Sequence, residues 1–321
     1  MKLSVVTALY NCLPLTQAML DSLRATLPRD LEYEIVFIDD GSTDGTREWL
    51  GTLDAPDIRV LLNERNLGYA GANNRGAAIA RGEFLALLNN DLVLTPGWLE
   101  PMLQLFDHSG LNAGIVGNVQ YAVATGALDH AGIFFDAHAK PAHLRTLPDT
   151  RRAYHEVAAA TGACVVLRRD VFQQLGGFDE VYRNGGEDVD LCLRLRRHGL
   201  RQYVTLTSAI RHHVSASVNR KLRDEENTCR LVRTWRDEIA TLAAPAWCRH
   251  YLHECWEAHA TPLPELLLDV AHCLRHPEAP PPARIIAAVQ EVIDRQLAHW
   301  EFAFAGKPGL PVGHPHAISI I

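Results

Sequence analysis

The sequence predicts an α/β protein with a mainly parallel central sheet flanked by helices, followed by a helical C-terminal annex. Three observations predict it. Through the first 90 residues, solid apolar runs rich in β-branched residues alternate with helical patterns, which marks parallel strands covered on both faces. Polar residues cluster at the C-terminal ends of four such runs. From about residue 222 the pattern turns wholly helical.

Taken in order, "LSVVTAL" (3–9) reads as a buried strand, and Leu20, Leu23 and Leu27 give the following helix its apolar side. "YEIVFID" (33–39) is a second strand. A helix is expected to start near Ser42-Thr43, where a hydroxyl can cap free amides. "IRVLL" (58–62) is a third strand, a Gly/Ala-rich helix covers about 69–81, and "EFLALL" (83–88) is a fourth strand. Parallel sheets bind ligands beyond the carboxyl ends of their strands. Those ends are Thr7 to Asn11, Asp39-Asp40, Asn63 to Asn66 and Asn89 to Asp91, so four ends converge on one crevice. Residues 113–167 carry short strands ("AGIVGNVQY", "GIFFDAH", "GACVVLR") separated by Gly, Asp and His, the pattern of hairpins in a mixed sheet. A helix begins near Glu187, with Leu191, Cys192 and Leu195 inward and Arg194, Arg197 and Arg201 outward. Ile286, Val289, Ile293, Leu297 and Trp300 then follow helical spacing after a linker, "HPEAPPPA" (276–283). The organisation is therefore 1–220 for the α/β domain, 221–305 for the annex and 306–321 for a Gly/Pro-rich tail.

Composition narrows the function classes. With 47% hydrophobic and 21% charged residues among 321, the chain can bury a substantial core. A formal net charge of −7 provides no electrostatic footprint for nucleic acid. No uninterrupted apolar run approaches the roughly 20 residues that span a bilayer. "MKLSVVTALYNC" is too short and too soon polar for a secretory signal. Seven scattered cysteines without a CxxC read as reduced thiols, and together these features predict a cytoplasmic protein.

Four stretches carry chemistry. In "FIDDGSTDGT" (37–46) two adjacent carboxylates end a strand; one of them caps the next helix, or Asp40 accepts the imide N–H of a pyrimidine base. In "NERNLGYAGANNRGAAIARGEF" (63–84) glycines and asparagines crowd a helix start and can bring backbone amides to a diphosphate. They also suit a helix packed tightly on a sheet. Neither a Walker lysine motif nor a G-x-G-x-x-G after the first strand is present. In "FLALLNNDLVL" (84–94) an apolar run is broken by two amides and a carboxylate. Asp91 there either belongs to a turn or binds a hard divalent cation, Mg²⁺ or Mn²⁺, which favours oxygen ligands. "GGEDVDLCLR" (185–194) places acids in a helix's first turn, where the dipole favours them. A fifth stretch, "CRHYLHEC", holds Cys248, His250, His253 and Cys255, residue types that bind zinc. On a helix, however, 248 and 255 share a face while 250 points away.

With "VVTALYN", "IDDGSTDGT", "NLGYAGANNRG", "FLALLNNDLVLTPGWLE", "LDHAGIFF", "TGACVVLRRDVF", "LGGFDEVY", "GGEDVDLCLRLRRHGLR" and "IRHHVSAS" in order, residues 3–217 resemble the inverting family-2 glycosyltransferases of the GT-A fold. The resemblance implies transfer of a sugar from a nucleotide diphosphate sugar to a saccharide, lipid-linked or protein acceptor, with a rhamnosyltransferase-like subgroup among the candidates. It implies that Thr7, Ala8, Tyr10, Asn11 and Asp40 hold the base and that Asn66, Gly68 and Asn73 line the nucleotide pocket. Asn89-Asn90-Asp91 stands where the family has an Asp-x-Asp metal motif, with only the last carboxylate kept; Asn90 is expected at the ribose or a metal-bound water. Asp188 corresponds to the base that takes the acceptor proton, with Glu187 orienting it or contacting the acceptor, and Asp190 faces elsewhere. Of the adjacent histidines, His212 rather than His213 is the expected late metal ligand for Mn²⁺ or Mg²⁺, and His130 is expected near the donor or acceptor site. A non-catalytic nucleotide-sugar-binding subunit is the alternative that the single carboxylate leaves open. A sugar nucleotidyltransferase would carry a Gly-rich, Lys/Arg-containing loop where this chain has "ALYNCLPL". The annex either caps its own apolar stripes or serves acceptor recognition, dimerisation or peripheral membrane contact.

Overall fold

The computed structural model describes residues 1–148, 151–213 and 224–304. The first half alternates as expected: β1 (Leu3–Leu9), α1 (Leu13–Thr26), β2 (Tyr33–Asp39), α2 (Thr46–Leu50), β3 (Ile58–Leu62), α3 (Gly68–Ile79), β4 (Phe84–Leu88), β5 (Leu92–Leu94) and α4 (Glu100–Asp107). Shorter pieces follow: β6 (Ala113–Ala122), β7 (Leu128–His130), β8 (Ile133–Phe135), β9 (Pro141–His143), β10 (Tyr154–Glu156), β11 (Cys164–Arg168), α5 (Arg169–Gln174), α6 (Glu187–Arg197) and β12 (Arg201–His212). The annex is α7 (Asp224–Thr234), α8 (Arg236–Glu257), α9 (Pro264–Arg275) and α10 (Ala283–Phe304). The 306–321 tail and the "VSAS" after His213 lie outside the described residues.

One sheet runs β10-β12-β6-β11-β4-β1-β2-β3, with β5 on β12 and β7 on β6, while β8 and β9 form a separate hairpin. The β3-β2-β1-β4 half is wholly parallel. Beyond it β11 is antiparallel to both β4 and β6, so the sheet is mixed. Side chains alternate across a strand, and both faces of this sheet are covered. Val6, Val36, Ile38, Leu85 and Leu87 pack on one side; Leu3, Val5, Leu9, Ile35 and Phe37 pack on the other with Met19 and Leu23 of α1. That double cover is why the strands read as unbroken apolar runs. The annex shares the first of these cores: Cys229, Ile239, Val270, Ile285, Val289, Ile293 and Trp300 belong to the cluster that contains Ile38 and Leu87. No helix among the described residues is long and apolar enough to cross a membrane.

Two local expectations need correction. Helix α2 starts at Thr46, after a left-handed Gly45, and not near Ser42. The Ser42 hydroxyl instead accepts the Asn11 amide (2.8 Å), so the loop is spent on bracing its neighbour. Arg194 does not point outward: its Nε donates to Asp190 (2.8 Å) and its Nη1 to the carbonyls of Leu175 and Gly177. Arg201 opens β12 and pairs with Glu156, which leaves only Arg197 of the three on the helix's outer side, against Glu238. The zinc chemistry of "CRHYLHEC" does not assemble either. Cys248 is buried beside Cys273 on α9, and no group of three or more His, Cys, Asp or Glu side chains that could hold a metal ion occurs among the described residues.

Helix α3 can lie on the sheet because Gly76 has no side chain: a Cβ there would come within 2.4 Å of Ile38 Cδ1 and 2.6 Å of Val6 Cγ1. Gly76→Val is therefore expected to destabilise the protein by about 1–3 kcal/mol through overpacking. In urea titrations the midpoint should drop with an unchanged m value; an unchanged midpoint would contradict this seating of α3.

Candidate active site

The site is assembled where β1, β2 and β4 end, faced by the end of β12 and the start of α6. Asn11 and Cys12 both take left-handed backbone (φ 58° and 62°), which turns the chain sharply off β1. The turn is fastened to the loop after β2. Asn11 Oδ1 accepts the Thr43 amide (2.8 Å), and the Leu13 amide donates to Asp44 (3.0 Å). Tyr10 is thereby held out, 54% exposed, while Thr7 is wholly buried and Ala8 half-buried.

The two acids after β2 have separate work. Asp39 is internal structure: it pairs with Arg47 Nε (2.6 Å) and accepts the Gly41 and Ser42 amides. Asp40 reaches across to the loop after β3. Its Oδ1 accepts Asn63 Nδ2 (2.7 Å) and the Leu67 amide (2.8 Å), and its Oδ2 accepts the Gly68 amide (2.9 Å). A carboxylate has about four lone-pair positions, so one on Oδ2 remains for a further donor. Asn66 is exposed and its Oδ1 also accepts the Gly68 amide (3.1 Å). Asn73 sits apart from that rim. It is only 1% exposed within α3, and its Nδ2 bonds the Tyr69 carbonyl.

After β4 the amides and the acid also diverge. Asn90 Nδ2 donates to the Asn11 carbonyl (3.3 Å) and Thr16 Oγ1 (3.0 Å), tying the end of β4 to the turn after β1. The Asn89 amide donates to the Ala163 carbonyl (2.9 Å). Asp91 is 8% exposed, and its Oδ1 has no hydrogen-bond partner among the described residues. The antiparallel pairing of β5 with β12 sets His212 opposite Leu92, and the His213 amide donates to the Asp91 carbonyl (2.9 Å). His212 Nε2 consequently lies 3.3 Å from Asp91 Oδ1, with Asp129 Oδ2 3.8 Å from its other nitrogen. A buried carboxylate oxygen without a hydrogen bond, beside an imidazole nitrogen, fits a divalent cation. With so few protein ligands, such an ion would take the rest of its shell from phosphate oxygens and water, as Mg²⁺ commonly does.

The third wall is the start of α6, capped by a left-handed Gly186. Asp188 Oδ2 accepts the Gly162 amide (2.9 Å) and Oδ1 the Val189 amide, while buried Glu187 accepts the Gly185 amide (2.6 Å). Gly162 is gripped from the other side too, since Tyr69 Oη donates to its carbonyl (2.6 Å). One residue on, Ala163 receives Asn89, so residues 162–163 connect the Asp188 carboxylate to the Asn89–Asp91 turn. Asp190 points away, bonded to Arg194 and to Trp235 Nε1 (2.8 Å). Burial pushes its carboxyl up, opposed by the Arg194 charge.

His130 lies beneath this region, 1% exposed. The Gly132 amide donates to its Nε2 (3.1 Å), so Nδ1 carries the proton and faces His143 Nδ1 at 3.0 Å. Burial, then the neighbouring His143, His212 and His155, hold its imidazole well below the ordinary range. Sequence reasoning missed Tyr69, Asp129, Gly162 and Asn184, whose Oδ1 accepts the Tyr69 amide. The Asp-His doublet at 129–130 and the glycine opening "GACVVLR" were the available signals.

These features define an α/β domain with a polar crevice at its strand ends, and comparison with known proteins gives its family. The model of glycosyl transferase family 2 matches residues 4–176, and that of the N-terminal domain of galactosyltransferase matches residues 143–216. The chain belongs to glycosyl transferase family 2. It is 33% identical to the O-antigen biosynthesis protein RfbC of Myxococcus xanthus over 67% of this chain and 18% of that one. It is 27% identical to the N-acetylglucosaminyl-diphospho-decaprenol L-rhamnosyltransferase of Mycobacterium tuberculosis over 68% of this chain and 78% of that one. The chain spans only 28% and 18% of the lengths of the first curated relatives it matches. The crystal structure of GalNAc-T7 with UDP, GalNAc and Mn²⁺ superposes with a TM-score of 0.62 at 17% identity, covering 88% of this chain and 59% of that one. The fold is GT-A.

Because folded His130 resists protonation, the unfolded chain binds the extra proton as pH falls through about 6.5, and stability declines with it. Melting temperatures measured from pH 8 to 5.5 should fall, and His130→Gln should flatten that dependence. Equal slopes in the two proteins would contradict the neutral, buried imidazole.

Proposed function

We propose that the protein transfers a sugar from a nucleoside diphosphate sugar to an acceptor hydroxyl, with inversion at the anomeric carbon. The observation that carries this reading is the pairing of two unlike carboxylates across residues 162–163. Asp91 has a buried oxygen without a partner among the described residues, and half-buried Asp188 stands at a helix N-terminus. In this reading the free lone pair of Asp40 receives the imide N–H of the base, flanked by Thr7, Ala8, Tyr10 and Asn11. Asn66 and Gly68 face the nucleotide, Asn73 supports that wall from within α3, and Asn89 and Asn90 fix the turn that presents Asp91.

Asp91 and His212 would hold Mn²⁺ or Mg²⁺, which when bound neutralises charge on the departing diphosphate. Asp188 performs the proton transfer. Its carboxylate, held at the start of α6 by the Gly162 and Val189 amides, is positioned as a base must be. As the acceptor oxygen bonds to the anomeric carbon and the bond to the diphosphate oxygen breaks, the hydroxyl proton passes to Asp188. Glu187, held by the Gly185 amide, fixes the helix start that aims it. Attack from the side opposite the leaving group inverts the centre.

The rhamnosyltransferase relative supports a deoxysugar donor and a lipid-linked saccharide acceptor, and the O-antigen relative supports surface-polysaccharide assembly. We place the reaction in residues 1–220, in the cytoplasm, with residues 221–305 as an accessory helical unit.

Asp188→Asn is expected to lower transfer by about 10²–10⁴-fold, the usual contribution of a positioned base. Thermal stabilisation by the nucleotide sugar should be retained. In Asp91→Asn the Mn²⁺-dependent part of that stabilisation should disappear. Wild-type turnover in Asp188→Asn would overturn the assignment of the base.

A further inference from the structure

The β8–β9 hairpin connects the crevice to a second cavity. At one end His143 sits 3.0 Å from His130, beside the His212 wall. At the other end its turn, with His138 and Lys140, walls an open cavity of 720 Å³ lined also by α7, α8 and α10. His143 lies three positions beyond Lys140, about 10 Å of extended chain at ~3.3 Å per residue. A cavity of this volume is of the size that holds a small ligand, ~300–1,000 Å³.

Its lining points to a particular chemistry. Trp300 is spent as the floor: its Nε1 donates to Glu225 (2.6 Å) and its ring lies under the Lys140 ammonium, 4.9 Å from the centroid. Lys140 in turn pairs with Glu225 (3.3 Å), so its charge is balanced from within. Trp247 differs. Tyr251 stacks on one side of it, with ring centroids 5.4 Å apart and planes 8° from parallel, while the indole lines the cavity. Around it stand Gln296, Arg295 and His250, which offer hydrogen bonds without concentrated charge. A nucleotide or diphosphate would call for a helix N-terminus or clustered cations. Here α8 presents its middle and α10 its C-terminal turns, and where α7 starts at the wall it places the negative charge of Glu225. A rigid aromatic face beside dispersed donors instead suits a hydroxyl-rich ring, whose C–H face packs on the indole while its hydroxyls bond the rim.

We infer that this cavity binds a saccharide unit of the acceptor remote from the hydroxyl being glycosylated, and so favours acceptors of more than one sugar. The inference rests on the transferase reading above. It gives the annex, which the catalytic geometry does not use, a role in acceptor selection.

The test uses the full chain and the double variant Arg295→Ala/Gln296→Ala, which changes only the cavity rim. Both proteins are applied to an array of neutral, deoxyhexose-bearing and uronate-bearing saccharides, single and linked. Wild type is expected to retain linked saccharides, and the variant to bind them about tenfold more weakly (~1.4 kcal/mol). Stabilisation by a nucleotide sugar with Mn²⁺ should be equal in the two. Equal saccharide binding by both proteins, or none by wild type, overturns the inference while donor stabilisation stands. Loss of donor stabilisation in wild type itself strikes at the transferase reading beneath it.

Discussion

A carboxylate oxygen sealed from water, with no hydrogen bond among the described residues and only the His212 imidazole beside it, is the constraint on which the arrangement of these strand ends depends. Desolvating an unpaired carboxylate costs several kcal/mol, more than most single contacts return. In this chain Asp91 Oδ1 is in that state among the described residues, and the imidazole of His212 is set 3.3 Å from it. The topology makes the encounter inevitable. β5 turns out of the parallel run to pair with β12, and that register carries residue 212 across from residue 92.

The opposite wall is built with equal economy. Asp188 is not on a free loop. It begins a helix whose buried face, Leu191, Cys192 and Leu195, is anchored in the core. Its carboxylate is further fixed by Gly162, which Tyr69 holds from the other side. A Cβ at Gly162 would lie 2.7 Å from Tyr69 Oη, so this grip needs glycine. Groups mounted on strand ends and helix starts hold their separation better than groups on loops, as the proposed in-line transfer requires.

The sheet was legible because double-sided burial makes each parallel strand a continuous apolar word, and the polar residues ending those words marked the crevice. The burial of Asp91 at a strand end and the turning away of Asp190 were readable from the same logic of apolar context and helical spacing. What stayed hidden was long-range pairing. Nothing local says that Ser42 bonds Asn11 instead of capping a helix, or that Arg194 folds back onto Asp190 and two carbonyls. Asp129 and Tyr69 were hidden for the same reason, since their partners lie 83 and 93 positions away in the chain, at His212 and Gly162. Helical spacing showed that the annex had apolar stripes but not that these stripes complete the core of the sheet.

The central claim is that the cation locus at Asp91 and the proton acceptor at Asp188 address one anomeric carbon from opposite sides. Diffraction from crystals grown with a nucleotide sugar and Mn²⁺, recorded for the anomalous signal of manganese, tests it most directly. The account predicts the metal in contact with Asp91 Oδ1 and His212, the diphosphate between metal and sugar, and the Asp188 carboxylate across the sugar from the diphosphate. Manganese bound elsewhere, or an Asp188 side chain that opens onto a different cavity from the sugar, would contradict it.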